Sequence, residues 1–194
     1  METKLEVCID NLAGLEACIQ GNADRIELCS SLIHGGLTPE VNLMKHASHA
    51  EIPVRVMVRP KRGNFHYSSR DLRQMKNDID MARSFGFEGV VFGATLVNGE
   101  IDQTFLEKLV KHAHGLKKTL HRAIDTVTDP VAAVDIASNL GFTKHDEDFG
   151  QTLAVWGVPD GPYLVLPGLG PSTVRDTLAM IPDAFLTPLW LIDH

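Results

Sequence analysis

The stretch Arg25-Ile26-Glu27-Leu28-Cys29 decides the fold. Polar and apolar residues alternate along it, which is the period of a β-strand. Ile26 and Leu28 fall on one face, Glu27 and Cys29 on the other. Working outward, Leu5-Glu6-Val7-Cys8-Ile9 repeats the pattern upstream, and Asn11 is placed to cap a helix whose Leu12, Leu15 and Ile19 share one side. Downstream, a loop at His34–Pro39 leads to a short helix ending near His49, then to the strand Val54-Arg55-Val56-Met57-Val58. A helix over 69–85, a strand at Gly89-Val90-Val91-Phe92, a helix over 103–114 and a strand at Lys118-Thr119-Leu120-His121 complete the run. Asp129-Pro130 opens a last helix, with proline in its first turn, and Gly141 ends it.

Five βα units predict an α/β fold with a parallel sheet. Sequential winding would make it an incomplete TIM-barrel-like (β/α) repeat; the alternative is an open, doubly wound sheet. No G-x-G-x-x-G follows any of these strands, which weighs against a dinucleotide site. In either architecture ligands belong at the C-terminal ends of the strands.

Polar residues recur there with period two. Glu6 and Cys8 share a face, as do Glu27 and Cys29, Met57 and Arg59, and Thr119 and His121. Such residues must face the lumen or its mouth, because the other face packs on helices. The catalytic candidates are His121, Glu27 and Asp125. Arg59, Arg122 and Glu6 are candidates for holding a small anionic substrate. Cys8 and Cys29, expected at equal heights on neighbouring strands roughly 5 Å apart, are the metal candidates; thiols with thioether or imidazole suit Cu(I) or Zn²⁺. Against this stands the ordinary use of cysteine as a small buried hydrophobe and of buried charges as a structural network. Cys18 has core spacing with Leu15. The loop Arg59-Pro60-Lys61-Arg62-Gly63-Asn64-Phe65-His66-Tyr67 sets three cations and a Gly-Asn turn directly after a strand.

The chain has 194 residues and a net charge of −7, with no basic run, so nucleic acid and anionic membrane surfaces are poor partners. No apolar run has the length of a membrane span. The charged start Met1–Glu6 and the odd number of cysteines, three, point to a cytoplasmic setting with reduced thiols. Composition changes near residue 143. Net charge is −2 over 1–143 and −5 over 144–194, and six of the ten prolines lie in the last 51 residues. Two segments are expected, 1–143 as a partial barrel and 144–194 as an irregular Pro/Gly-rich tail. The tail would cover the open barrel with Phe149, Trp156, Tyr163, Leu164, Phe185 and Trp190 without extending the sheet, and Pro182–Leu191 would be a short helix. Strands one and five would then be open edges prone to self-association.

Residues 1–143 resemble the CutC family of copper homeostasis proteins. The matching stretches are Glu6-Val7-Cys8, Ala23–Cys29, Gly35-Gly36-Leu37-Thr38-Pro39, Arg59-Pro60 with Gly63, Phe65, Tyr67 and Ser68, Gly89–Gly93, and His121-Arg122-Ala123 with Asp125. Asn64, Arg62 and Ile124 stand where the family commonly has Asp, Gly and Phe. The resemblance implies a TIM-barrel-like fold, a cytoplasmic location and a role in copper tolerance, with copper as the bound metal. The family continues with further units after Thr143. Here residues 144–194 instead resemble an internal piece of the MlaA/VacJ lipoproteins of phospholipid trafficking, through Glu147–Leu153, Trp156-Gly157-Val158, Gly161–Pro167 and Gly170–Asp176. The chain thus reads as a fusion. Its competing roles are copper binding, an enzyme acting on a small anion at the mouth, a lipid-trafficking fragment, and a fusion without activity.

Overall fold

Period-two alternation becomes two distinct packing faces in the computed structural model, which describes residues 3–142, 151–158 and 161–165, with side chains from Glu6 to Phe142. The strands are β1 (Thr3–Ile9), β2 (Arg25–Leu28), β3 (Val54–Met57), β4 (Gly89–Phe92), β5 (Lys117–Leu120), β6 (Gln151–Val158) and β7 (Gly161–Val165). The helices are α1 (Leu12–Gln20), α2 (Val41–Ala47), α3 (Ser69–Ser84), α4 (Gln103–His112) and α5 (Pro130–Asn139). Val7, Ile9, Ile26, Leu28, Val54, Val56, Val90 and Phe92 pack in one cluster with Leu15, Met75, Ile79, Leu106 and Leu109 of the helices. The alternate residues Cys8, Cys29, Met57 and Val91 form a second cluster with Leu32 on the opposite face. Burying each large side chain of the first cluster contributes about 1.5–3 kcal/mol, so this helix-facing layer holds the fold together.

Local signals place the helices between the strands. The Asn11 side chain accepts a hydrogen bond from Gly14 N at 2.8 Å. Ser68 and Asp71 form a reciprocal capping box at α3. Asp102 accepts from Phe105 N at 3.0 Å, and Asp129 from Ala132 N at 3.0 Å with Pro130 at the first turn. His114 lies beyond the end of α4, and His49 beyond the end of α2.

The sheet order is β5-β4-β3-β2-β1-β6-β7. From β1 to β5 it never reverses, and every one of those pairs is parallel. A doubly wound sheet reverses at its switch point. Sequential winding with crossovers of one hand puts the helices on one face and leaves the other as a lumen. The chain is therefore an incomplete TIM-barrel-like repeat.

One expectation needs correction. β1 is not an edge: β6 pairs with it in parallel from Thr3↔Gln151 to Cys8↔Trp156, and β7 pairs antiparallel to β6. The sheet therefore runs past the compositional change at residue 143. The strand escaped sequence reading because a parallel strand lying within a sheet shows a continuous apolar run rather than alternation. Leu153-Ala154-Val155-Trp156 is such a run, and the flanking Gly and Pro mark it as loop. Of the tail residues expected to cover the barrel, Trp156, Tyr163 and Leu164 lie on β6 and β7, whose backbone alone is described, while Phe149, Phe185, Trp190 and the expected helix at 182–191 lie outside the described residues.

Candidate functional site

The lumen face carries stacked layers of polar side chains. Nearest the N-terminal ends of the strands, Glu6 and Arg25 stand opposite each other in register and form a buried ion pair. Buried Arg55 sits on β3, where its Nη1 donates to Thr119 Oγ1 at 2.6 Å and its Nε to Glu88 Oε2 at 3.4 Å. Glu6 is thus occupied inside the barrel by Arg25, away from the mouth. Arg25 and Arg55 were not singled out from the sequence. The signal was present, since both continue the period-two series of Glu27 and Cys29, and of Met57 and Arg59.

The next layer holds sulfur. The strand register sets Cys8 opposite Glu27, not opposite Cys29. The equal heights expected for the two cysteines are therefore wrong by one step of the ladder, because the stagger between strands is a property of the sheet and not of either strand alone. The two thiols still converge. Cys8 and Cys29 both donate to Glu27 Oε1, at 3.6 and 3.7 Å. Met57 joins them: a Cβ added to Gly36 would lie 3.2 Å from Cys29 Sγ and 3.3 Å from Met57 Cε. Burial, with the Glu27 charge second, holds both thiols well above their ordinary range. Burial, reinforced by Glu6, raises the Glu27 carboxyl to about 7, with the two thiol hydrogen bonds acting the other way. Cys18 lies apart, fully buried in α1, and burial pushes its thiol up to about 12.

At the C-terminal ends of the strands lies a cationic layer. Arg59 is only 4% exposed. Its Nη1 donates to the carbonyls of His34, Gly35 and Gly36, and its Nη2 to that of Gly63. The loops that supply these carbonyls turn through Gly35 and Gly36, whose φ angles of 81° and 79° favour glycine. Thr38 Oγ1 accepts from Arg59 N and donates to Asp78 Oδ2, which ties β3 to α3. The Arg59 guanidinium stacks 4.6 Å from the Phe65 ring centroid, and the His121 ring lies 4.8 Å from the same centroid. The Tyr67 hydroxyl feels the Arg59 charge, yet it makes no hydrogen bond of good geometry.

Of the catalytic candidates, His121 is held as a neutral hydrogen-bond donor. Its Nδ1 accepts from Ala123 N at 3.2 Å, so the proton of the neutral ring sits on Nε2. Burial first, then the Arg59 charge, pushes its pKa down to about 3. At neutral pH it is a hydrogen-bond donor whose only lone pair is already engaged. Arg122 and Asp125 are exposed on the rim and pair with each other at 3.6 Å.

Fold and site together define a parallel α/β barrel-type protein with a polar lumen and its open chemistry at the strand ends. The CutC family model matches residues 3–153, and the chain belongs to that family. A CutC family protein of Caulobacter vibrioides is 52% identical over 140 residues, covering 72% of this chain and 57% of that protein. One from Rhizobium meliloti is 44% identical over 193 residues, covering 94% of this chain and 78% of its own length. A crystal structure from Streptococcus agalactiae, given the name of a copper homeostasis protein CutC, superposes with a TM-score of 0.69 at 34% identity, covering 73% of this chain and 70% of that one. The chain thus spans little more than half the length of the Caulobacter relative.

Proposed function

We propose that this chain serves copper homeostasis by binding Cu(I) at Cys8 and Cys29, with Met57 as a neighbouring soft donor. The observation that carries the reading is the convergence of two buried thiols on one carboxylate beside a thioether. Thiolate and thioether donors select Cu(I) over harder ions. A structural zinc site needs four donors in a tetrahedron. Among the described residues, no group of three or more His, Cys, Asp and Glu side chains is placed to share an ion. All three cysteines are free, which fits a reducing compartment such as the cytoplasm. Among the described residues no helix is long and apolar enough to cross a membrane.

Because both thiols stay protonated at neutral pH, Cu(I) must displace two protons as two S–Cu bonds form. Affinity should therefore rise with pH. The test is competition for Cu(I) against bicinchoninate, with proton release measured by calorimetry in two buffers. Cys8→Ser with Cys29→Ser should abolish binding and proton release, while Cys18→Ser leaves both intact. Unchanged affinity in the double variant refutes the site.

A further inference from the structure

Among the described residues, Arg59 is a buried cation with no counter-ion. Among the described residues its partners are four backbone carbonyls, the Phe65 ring and the Tyr67 hydroxyl, and none is a carboxylate. Buried charges are ordinarily paired. Among the described residues, its Nε is buried without a hydrogen-bond partner, and so is the Nε2 of His121. Buried donors without partners are rare in folded proteins, and each calls for an explanation.

The two orphan donors belong to one place. Met57 pairs with Val91, and Phe92 with Leu120, so Arg59, Gly93 and His121 continue one lumen level across β3, β4 and β5. The strand between them contributes no side chain. The His121 ring lies over Gly93, where a Cβ would come 2.7 Å from Nδ1 and 2.9 Å from Cε1. Arg59 and His121 therefore share one level, where the glycine leaves room for the imidazole, and both pack against the Phe65 ring, the guanidinium 4.6 Å and the imidazole 4.8 Å from its centroid. Arg122 closes the rim: a Cβ on Gly35 would touch Arg59 Nη1 at 3.2 Å and Arg122 Nη1 at 3.7 Å.

We infer that this level is a binding site for one small oxyanion, a carboxylate or a phosphate. Arg59 Nε and His121 Nε2 donate to its oxygens, and Arg122 supplies the outer charge. A neutral His121 with Nδ1 already accepting offers only a donor, and so does a guanidinium, so the level suits an acceptor-only ligand. The site lies at the strand ends, where barrel ligands bind. It does not depend on the copper reading, since none of its donors is a sulfur.

Nitrogen-15 histidine spectra of the full chain test this without any variant. The Nε2–H resonance of His121 should shift and saturate on addition of inorganic phosphate, of oxalate, or of both; the stronger response tells phosphate from carboxylate chemistry. Arg122→Ala, an exposed change that leaves the core intact, should weaken the response severalfold. His121→Asn, in which Oδ1 can replace Nδ1 on Ala123 N, should weaken calorimetric binding tenfold or more. The Cys8→Ser, Cys29→Ser variant should bind the anion as wild type does. A His121 resonance unmoved by both anions at millimolar concentration, or equal affinity in the His121→Asn variant, overturns the inference.

Discussion

Glu27 and His121 should make the stability of this chain depend on pH in opposite directions. Glu27 is raised from 4.5 to about 7 by burial and by Glu6. Below pH 4.5 the carboxyl is protonated in both folded and unfolded chains. As pH rises to 7 the unfolded chain releases a proton that the folded chain keeps, and stability is lost at about 1.4 kcal/mol per pH unit. The total over that window is roughly 3 kcal/mol. His121 is lowered from 6.5 to about 3 by burial and by the Arg59 charge. Its contribution is fully present above pH 6.5 and is lost as pH falls toward 3, because the unfolded chain then takes up a proton that the folded chain refuses. Between pH 4.5 and 6.5 the two slopes cancel.

Glu27→Gln removes one of them. Gln keeps the size of the side chain and an acceptor oxygen for the two thiols. Relative to wild type, the variant should become less stable by roughly 3 kcal/mol on going from pH 7 to 4.5. His121→Asn should shift the other way between pH 6.5 and 3. Urea unfolding followed by far-ultraviolet circular dichroism at several pH values measures this. Differences between variant and wild type cancel the other titrating groups, provided the denaturant slope is unchanged. Parallel stability curves for Glu27→Gln and wild type across pH 4.5–7 would refute the reasoning, because a carboxyl with an ordinary pKa gives no such difference.

Gly93→Ala would drive a Cβ to within 2.7 Å of His121 Nδ1 and 3.0 Å of Ala123 Cβ. Overpacking of this kind costs about 1–3 kcal/mol, so the thermal midpoint should fall by several degrees and the Nδ1 bond to Ala123 should weaken; an unchanged melt would show that the ring has room to move. β5 ends the sheet and, among the described residues, pairs with β4 alone. Its side chains are half-buried where those of β2, β3 and β4 are buried. Light scattering after size exclusion should therefore find self-association, tempered by Lys117 and Lys118 on that edge; a monodisperse monomer would show the edge to be protected.

Much of the fold was legible because strands β1 to β5 bury one apolar face against amphipathic helices, and alternation records that directly. The caps Asn11, Ser68, Asp102 and Asp129 act over three residues and can be read locally. What the sequence hides is whatever depends on how strands are set against each other. Cys8 and Cys29 share a face with Glu27, as their parity implied, but their relative height is fixed by the stagger of the sheet. β6 was missed because its apolar run has no period. That His121 presents a donor is equally hidden, because it follows from a backbone amide two residues away that occupies the lone pair of Nδ1.

Three arginines on the lumen face separate scaffold from site. Arg25 meets the Glu6 carboxylate, and Arg55 meets Glu88 and Thr119. Both are answered by side chains on neighbouring strands or the loops beside them, and removing one partner would strand a buried charge. Arg59 stands two levels above Arg55, just past the C-terminal end of β3 and beyond the sulfur layer. Among the described residues it is answered by carbonyls, from loops that bend through glycine, and by Phe65 and Tyr67, none of them a carboxylate. A scaffold arginine at that height would need only one carboxylate, as the lower two have. Its charge, its free Nε and the facing Nε2 of His121 are instead left uncompensated at the end of the barrel where ligands enter. The anion site is inferred from this contrast: the same residue type is matched by a carboxylate at the lower levels and, among the described residues, by none at this one.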